Sequence, residues 1–359
     1  PPAVAKAGMD TGVARRPIAD LKAYEQSLKA RMDPTASILQ GIHARAKQAQ
    51  ARMIFAEGDD PRVLRAAVAY QRAGLGRALV VGRDADVKEK LEAAGLGDAV
   101  RELEIVNAAN SRHLETYKDF LYNRLQRQGF DRHDVHRLAA RDRHVFSALM
   151  LQHGHGDGLI TGVTRKSAHV LNLINHVFDA KASDGAVGVT ALLNKGRIVL
   201  IADTLVHEWP DETDLANIAV KAAGVARNLG LDPRVAFVSF STFGYPVSER
   251  ATKMHAAPKV LDGMKVDFEY EGEMTVDVAL NAEVMAQYPF CRLSGPANIL
   301  VVPARHSASI SVKLMQEMAG ATVIGPILTG VTKPIQICST NSTVNDILNM
   351  AVMAACKVG

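Results

Sequence analysis

Residues suited to chemistry gather at four places where an apolar run gives way to a short polar turn and then to helical periodicity. The most suggestive is Ser339-Thr340-Asn341-Ser342. Ser342 reads as the N-cap of a helix that runs to Lys357, so the chain near Ser339 would present free backbone N–H groups. Those groups and the positive end of the helix dipole favour an anion. Asp346 falls about one turn inside the helix, placed to accept a proton or a hydrogen bond. A second turn, Thr161-Gly162-Val163-Thr164-Arg165-Lys166-Ser167, offers hydroxyls and two cations suited to a phosphate. A third is Ser239-Phe240-Ser241-Thr242-Phe243-Gly244, and a fourth runs from Pro303 through Arg305, His306 and Ser307 into a helix carrying Lys313. Each pattern also suits a plain turn, and Lys313 a solvated helix position.

Other clusters read more simply. His153, His155 and Asp157 have the types of a metal site but fit a polar loop ahead of a strand, and no metal is expected. Glu271, Glu273 and Asp277 form a carboxylate set, read as helix-start capping and surface charge. No G-x-G-x-x-G or P-loop pattern occurs, and no G-x-S-x-G elbow.

The 359 residues suggest two domains, and 48% hydrophobic with 22% charged residues is ordinary for a globular chain. A net charge of +4 without a long basic run argues against nucleic acid as a partner. No apolar run reaches the roughly 18 residues that cross a bilayer, and no signal peptide is evident. Cys291, Cys338 and Cys356 lack metal-ligand spacing and fit reduced, buried thiols of a cytoplasmic protein. The chain opens Pro1-Pro2, which reads as a fragment or a processed form.

The elements that must carry these turns alternate. Strands are expected at Arg52–Glu57, Arg77–Gly82, Glu102–Val106 and Gly158–Thr161, with helices at Asp60–Ala73 and Asp84–Ala94 and helical periodicity over Ser111–His153. After a Gly-rich break at Ser183–Gly188, Val187–Leu193 and Arg197–Ala202 read as a hairpin about Asn194-Lys195-Gly196. A long helix at Asp211–Leu229 follows. Strands are then expected at Val235–Phe240, Ala297–Val302 and Thr322–Leu328, and helices at Ser307–Met318 and Ser342–Lys357. Continuous apolar strands alternating with helices predict an α/β fold with mostly parallel sheets. The expected division is a leading segment of residues 1–32 with a short helix at Asp20–Met32, one lobe of 33–181 plus 326–359, and a second of 182–325.

Over residues 33–359 the sequence resembles the phosphate acetyltransferase (phosphotransacetylase) family. The resemblance rests on Phe55-Ala56-Glu57-Gly58 with Pro61-Arg62, Asp157-Gly158 leading to Thr161-Gly162, and Val238-Ser239-Phe240-Ser241-Thr242. It continues in Glu271-Gly272-Glu273, Gly295-Pro296-Ala297-Asn298, Gly325-Pro326 with Gly330 and Lys333-Pro334, and Ser339 with Asp346. It implies two α/β lobes flanking a cleft, a dimer or higher homo-oligomer, and acetyl transfer between coenzyme A and phosphate. A carboxylate suits removal of the thiol proton, and arginines suit the phosphate and the oxyanion.

The sequence departs from the family at both arginines. The family's Ser-Arg-Gly becomes Ser339-Thr340-Asn341, and its other phosphate-gripping arginine falls on Asn172. The resemblance therefore implies a degenerate site at Ser339, Thr340, Asp346 and Asn172, with no catalytic residues expected. Lys313 stands where the family has a lysine, Glu317 replaces an arginine further along that helix, and Arg165 and Lys166 are added cations. The expected acetyl-CoA contacts are Arg165, Lys166, Lys313, Ser339, Asn341 and Ser342. Residues 3–18 resemble the end of the catalytic portion of bacterial NADP-dependent malic enzymes. Together the resemblances imply an acetyl-CoA-sensing, oligomer-forming domain following a malic enzyme catalytic domain in one parent chain. NADP and Mg or Mn would belong only to that catalytic part. An active phosphate acyltransferase and a ligand-free assembly module are the alternatives.

Overall fold

In a computed structural model of the protein, the described residues are 34–178 and 185–358, with Val4, Ala7, Met9 and Thr11 of the leading segment. The expected helix at Asp20–Met32 and most of the stretch resembling malic enzyme lie outside them. The first lobe opens with α1 (Pro34–Ala49), β1 (Ala51–Phe55), α2 (Pro61–Arg72), β2 (Gly76–Val81), α3 (Asp84–Ala93) and β3 (Glu104–Val106). It continues with α4 (Leu114–Leu125), α5 (Arg132–Arg141), α6 (Arg143–Gln152), β4 (Gly158–Thr161) and α7 (Ser167–Asn175). The second lobe holds β5 (Val187–Asn194), β6 (Arg197–Ala202), α8 (Glu212–Asn228), β7 (Arg234–Val238), α9 (Glu249–Met264) and β8 (Glu269–Met274). After these come α10 (Val276–Leu280), α11 (Ala282–Met285), β9 (Ile299–Val301), α12 (Arg305–Ala319) and β10 (Thr322–Thr329). The chain returns to the first lobe with β11 (Ile335–Ile337) and α13 (Val344–Ala355).

The first sheet is wholly parallel, in the order β11-β4-β1-β2-β3. Its strands are short apolar runs covered on both faces, as parallel sheets require. Strand order reverses between β1 and β4, and ligands of such sheets gather beyond the carboxyl ends at that switch point. The second sheet runs β10-β5-β6-β9-β7-β8. β10, β5 and β6 are antiparallel, and the remaining pairs are parallel. The turn joining β5 to β6 places Lys195 at φ 48° and Gly196 at φ 72°, as a tight hairpin demands. β10 stays paired with β5 through Thr329, so passage between the sheets falls between Thr329 and Ile335.

One buried apolar cluster spans both lobes, uniting Phe55 and Val63 with Val189, Leu200 and Ala222. α13 packs against α1, α2 and β4 on one side and β10 on the other. Ile347, Met350, Ala351 and Met353 supply its buried side chains. α8 covers the second sheet through an alanine-rich face, including Ala216, Ala219, Ala222 and Ala223, which lets backbones approach closely.

Candidate functional site

β11 delivers Cys338 beside β4, where its N–H donates to the Thr161 carbonyl at 2.7 Å. The Ser339 turn then closes on itself. Ser342 N–H donates to the Ser339 carbonyl at 3.0 Å, and Ser339 N–H to Ser342 Oγ at 3.0 Å. Thr343, not Ser342, is the helix cap. Its extended backbone lets Oγ1 accept from Asp346 N–H at 3.2 Å. The Asp346 carboxylate in return accepts from Thr343 N–H at 2.8 Å and Oγ1 at 2.9 Å, completing a capping box. The Ser342 hydroxyl turns back instead and accepts from Ser339 N–H. Asp346 thus holds a helix terminus through its Oδ2.

Arg62, at the start of α2, braces the same turn. It donates to the carbonyls of Thr340 and Ser342 at 2.9 and 3.0 Å. Its other edge is paired with Asp60 at 2.8 Å. Burial works against the Asp60 charge, yet the bonds from Arg62 prevail and hold it below the ordinary carboxylate range. Arg62 therefore puts a cation beside Ser339, but one whose donors face carbonyls and a carboxylate. Ser339, Thr340 and Asn341 are exposed and Ser342 is buried.

At the switch point, Glu57 is buried and accepts from Val163 N–H at 3.0 Å, Thr164 N–H at 2.7 Å and Thr164 Oγ1 at 2.6 Å. Thr161 Oγ1 pairs with His144 Nδ1 at 2.6 Å. Arg165 bonds to Asp142 at 3.0 Å and to His169 at 3.2 Å. The donors read as suited to phosphate are in large part engaged within the lobe. Lys166 is exposed at the start of α7 and meets no carboxylate among the described residues. Asn172 is exposed on α7, which packs against β11. So Ser339, Asn341 and Ser342 share one turn after β11, while Arg165 and Lys166 precede, and Asn172 lies on, the helix α7 that packs against β11. Lys313 stands apart, exposed on α12 of the second lobe.

In the carboxylate set of the second lobe, Asp277 is exposed in the first turn of α10 as read, but Glu271 and Glu273 overturn the reading as capping and surface charge. Glu271 and Glu273 are buried on β8. Glu273 accepts from Ser241 Oγ and Gly244 N–H at 2.8 Å each, and pairs with His255 Nδ1 at 2.9 Å. Burial opposes its charge, but these bonds outweigh it and keep its carboxyl acidic. Glu271 pairs with Arg292 at 3.1 Å. Asp203, after β6, accepts from the amides of Gly188, Leu205 and His207 and from the His207 ring at 2.7 Å. Bonding to Asp203 raises the His207 pKa. Asp157 pairs with Arg52 at 3.1 Å, while His153 and His155 stand among rings with His113 and Tyr117.

These clamps set the strand-end loops around a cavity of about 790 Å³. Trp209, Phe240, Lys253, His306 and Ser307 line it. Trp209 and Phe240 are 73% and 59% exposed, and Trp209 lies 5.3 Å from the His306 ring. The third and fourth polar turns thus converge, but Trp209 and Lys253 were not among the residues singled out. A lone tryptophan in a polar loop was the available signal for Trp209; Lys253 had none.

The fold defines a class. A phosphotransacetylase from Streptococcus pyogenes superposes with a TM-score of 0.82 at 26% identity, covering 90% of this chain and 98% of that one. The family model described as Phosphate acetyl/butaryl transferase matches residues 37–355, and the chain belongs to that family. It is 31% identical to a phosphate acetyltransferase of Clostridium acetobutylicum over 88% of this chain and 97% of that protein. It is 50% identical, over its whole length, to 47% of an NADP-dependent malic enzyme of Rhizobium meliloti. The chain spans about half the length of the first curated relatives it matches. No helix among the described residues is long and apolar enough to cross a membrane.

Proposed function

We propose that this chain is the acetyl-CoA-sensing regulatory domain of an NADP-dependent malic enzyme, keeping a phosphotransacetylase fold without its reaction. In this reading the parent chain oxidatively decarboxylates malate to pyruvate, with NADP and Mg or Mn held in its catalytic domain. The domain described here also joins copies into a dimer or higher oligomer. Acetyl-CoA, formed downstream from pyruvate, is then a sensible inhibitor.

The observation that carries the proposal is the Ser339 turn. Thr340 puts a neutral side chain beside Ser339, and Asp346 gives its Oδ2 to the Thr343 cap. Loss of one oxyanion donor costs on the order of 2.7–4 kcal/mol in a transition state. Binding asks less of a site than turnover does. The 790 Å³ cavity has rings for a base and Lys253 for a phosphate, and Lys166, exposed in the first lobe, is a further candidate contact.

Calorimetric titration of the chain with acetyl-CoA should give saturable binding at millimolar ligand or below, weakened by Lys253→Ala and by Trp209→Ala. Absence of heat at millimolar ligand overturns the sensing reading. Unchanged affinity in Trp209→Ala, Lys253→Ala and Lys166→Ala moves the site elsewhere. Release of coenzyme A that depends on added phosphate would instead establish an active acyltransferase.

A further inference from the structure

A second cavity, of about 420 Å³, lies under α12 on the face of the second sheet away from α8. Its walls are Leu192, Val199, Ile201, Leu280, Leu300 and Leu314. At one end stand Asn194, Lys195 and Arg197 from the β5–β6 hairpin. It shares Val238, Val276, Val302 and Ser311 with the larger cavity, so the two are neighbours.

The two cations at its mouth are unusual in having no acid to answer. Lys195 is exposed and pairs with no carboxylate among the described residues. Arg197 is exposed and, among the described residues, donates only to the Leu280 carbonyl, at 3.0 Å. The tight turn holds Lys195 at φ 48°, which fixes its backbone beside the slot rather than leaving it on a loose loop. α12 covers the slot lightly. Of its 15 residues only Ala308 is buried, while Leu314 and Met315, which line the slot, are 58% and 37% exposed.

An apolar slot within the roughly 300–1,000 Å³ range of small-molecule sites, with positive charge confined to one end, matches one ligand chemistry. We propose that it binds an amphipathic anion, a medium-chain aliphatic carboxylate, with the chain under α12 and the carboxylate at Lys195 and Arg197. Apolar burial supplies the affinity, and the cations set orientation and select charge. This site adjoins the one proposed for acetyl-CoA, with Leu314, Lys195 and Arg197 lining the slot alone, and it does not rest on that reading.

Decanoate, kept below its micelle concentration, is the probe, with decyltrimethylammonium as its charge-reversed partner. Calorimetry on the full chain should give one decanoate site and little binding of the cation. The double variant Lys195→Glu/Arg197→Glu should weaken decanoate on the order of tenfold or more. Leu314→Trp, at an exposed helix position, should fill the slot and abolish binding while leaving acetyl-CoA titration unchanged. Equal binding of both amphiphiles, or decanoate binding indifferent to these variants, overturns the proposal. So does a dimer, seen in sedimentation, that decanoate cannot enter and Leu314→Glu dissociates, since a second copy would then own this face.

Discussion

His144 shows how a single side chain can link the site to pH. It is fully buried on α6, its Nδ1 bonded to Thr161 and its Nε2 without a hydrogen-bond partner among the described residues. Burial pushes its pKa below the ordinary imidazole value, although the nearby Glu57 pulls the other way. A histidine depressed in the native state contributes stability above about pH 6.5 that is lost as pH falls through its native value. The wild type should therefore lose stability on acidification below about pH 6.5. His144→Gln should be about 1 kcal/mol less stable at pH 8, having lost the Thr161 bond, yet fall less steeply. Denaturant titrations at several pH values test this, and equal slopes for both proteins would refute it. None of this could be read from the sequence, where His144 sits unremarked in a polar helical stretch.

Elements were legible where pattern and partner are local. β1, β2, β4 and the β5–β6 hairpin are apolar runs closed by turn residues, and they fold as read. The terminal helix was also legible, but its cap lies one residue later than expected. Ser342 and Thr343 are both competent cap types, and in the turn braced by the distant Arg62 the Ser342 hydroxyl faces Ser339 N–H, leaving the cap to Thr343. Thr343→Ala should cost about 1 kcal/mol of stability, and Ser342→Ala should leave the capping box intact. Thermal unfolding of Thr343→Ala with no loss would contradict the assignment. β8 was missed for a physical reason. Its sequence, Glu269-Tyr270-Glu271-Gly272-Glu273-Met274, looks solvent-bound because acids alternate along it. Glu271 and Glu273 are tolerated inside by Arg292, Ser241 and His255, all distant in sequence. β11 is a three-residue strand, too short to carry a period.

On the scale of the molecule, one carbonyl is bonded from both sides of the passage between the sheets. Leu328 lies one residue from the end of the second sheet's edge strand, and its carbonyl accepts from Gln336 at 3.2 Å and from Lys357 Nζ at 2.6 Å. Gln336 also accepts from Leu328 N–H at 2.8 Å. Burial drives the Lys357 pKa down to about 8. Below that value the native state must hold a buried ammonium ion. The stability tied to its neutral form is complete above the unfolded value of about 10.4 and is lost as pH falls through about 8. Lys357→Met should flatten the gain in stability between pH 8 and 10, as measured by denaturant unfolding; an unaltered profile would rule the lysine out. The α/β class and two-sheet plan were readable from alternation and from family motifs. This shared carbonyl was not, because it depends on where two distant strands meet.

The return of β11 and α13 to the first sheet has a consequence for biosynthesis. The second lobe, from Val187 to Thr329, is contiguous, whereas the first closes only with residues from Ile335 onward. At roughly 5–20 residues per second on the ribosome, β4 would emerge with one edge unpaired and wait on the order of ten seconds or more for its neighbour. During that interval the first half of the chain is the aggregation-prone part, and the later half is the one ready to fold.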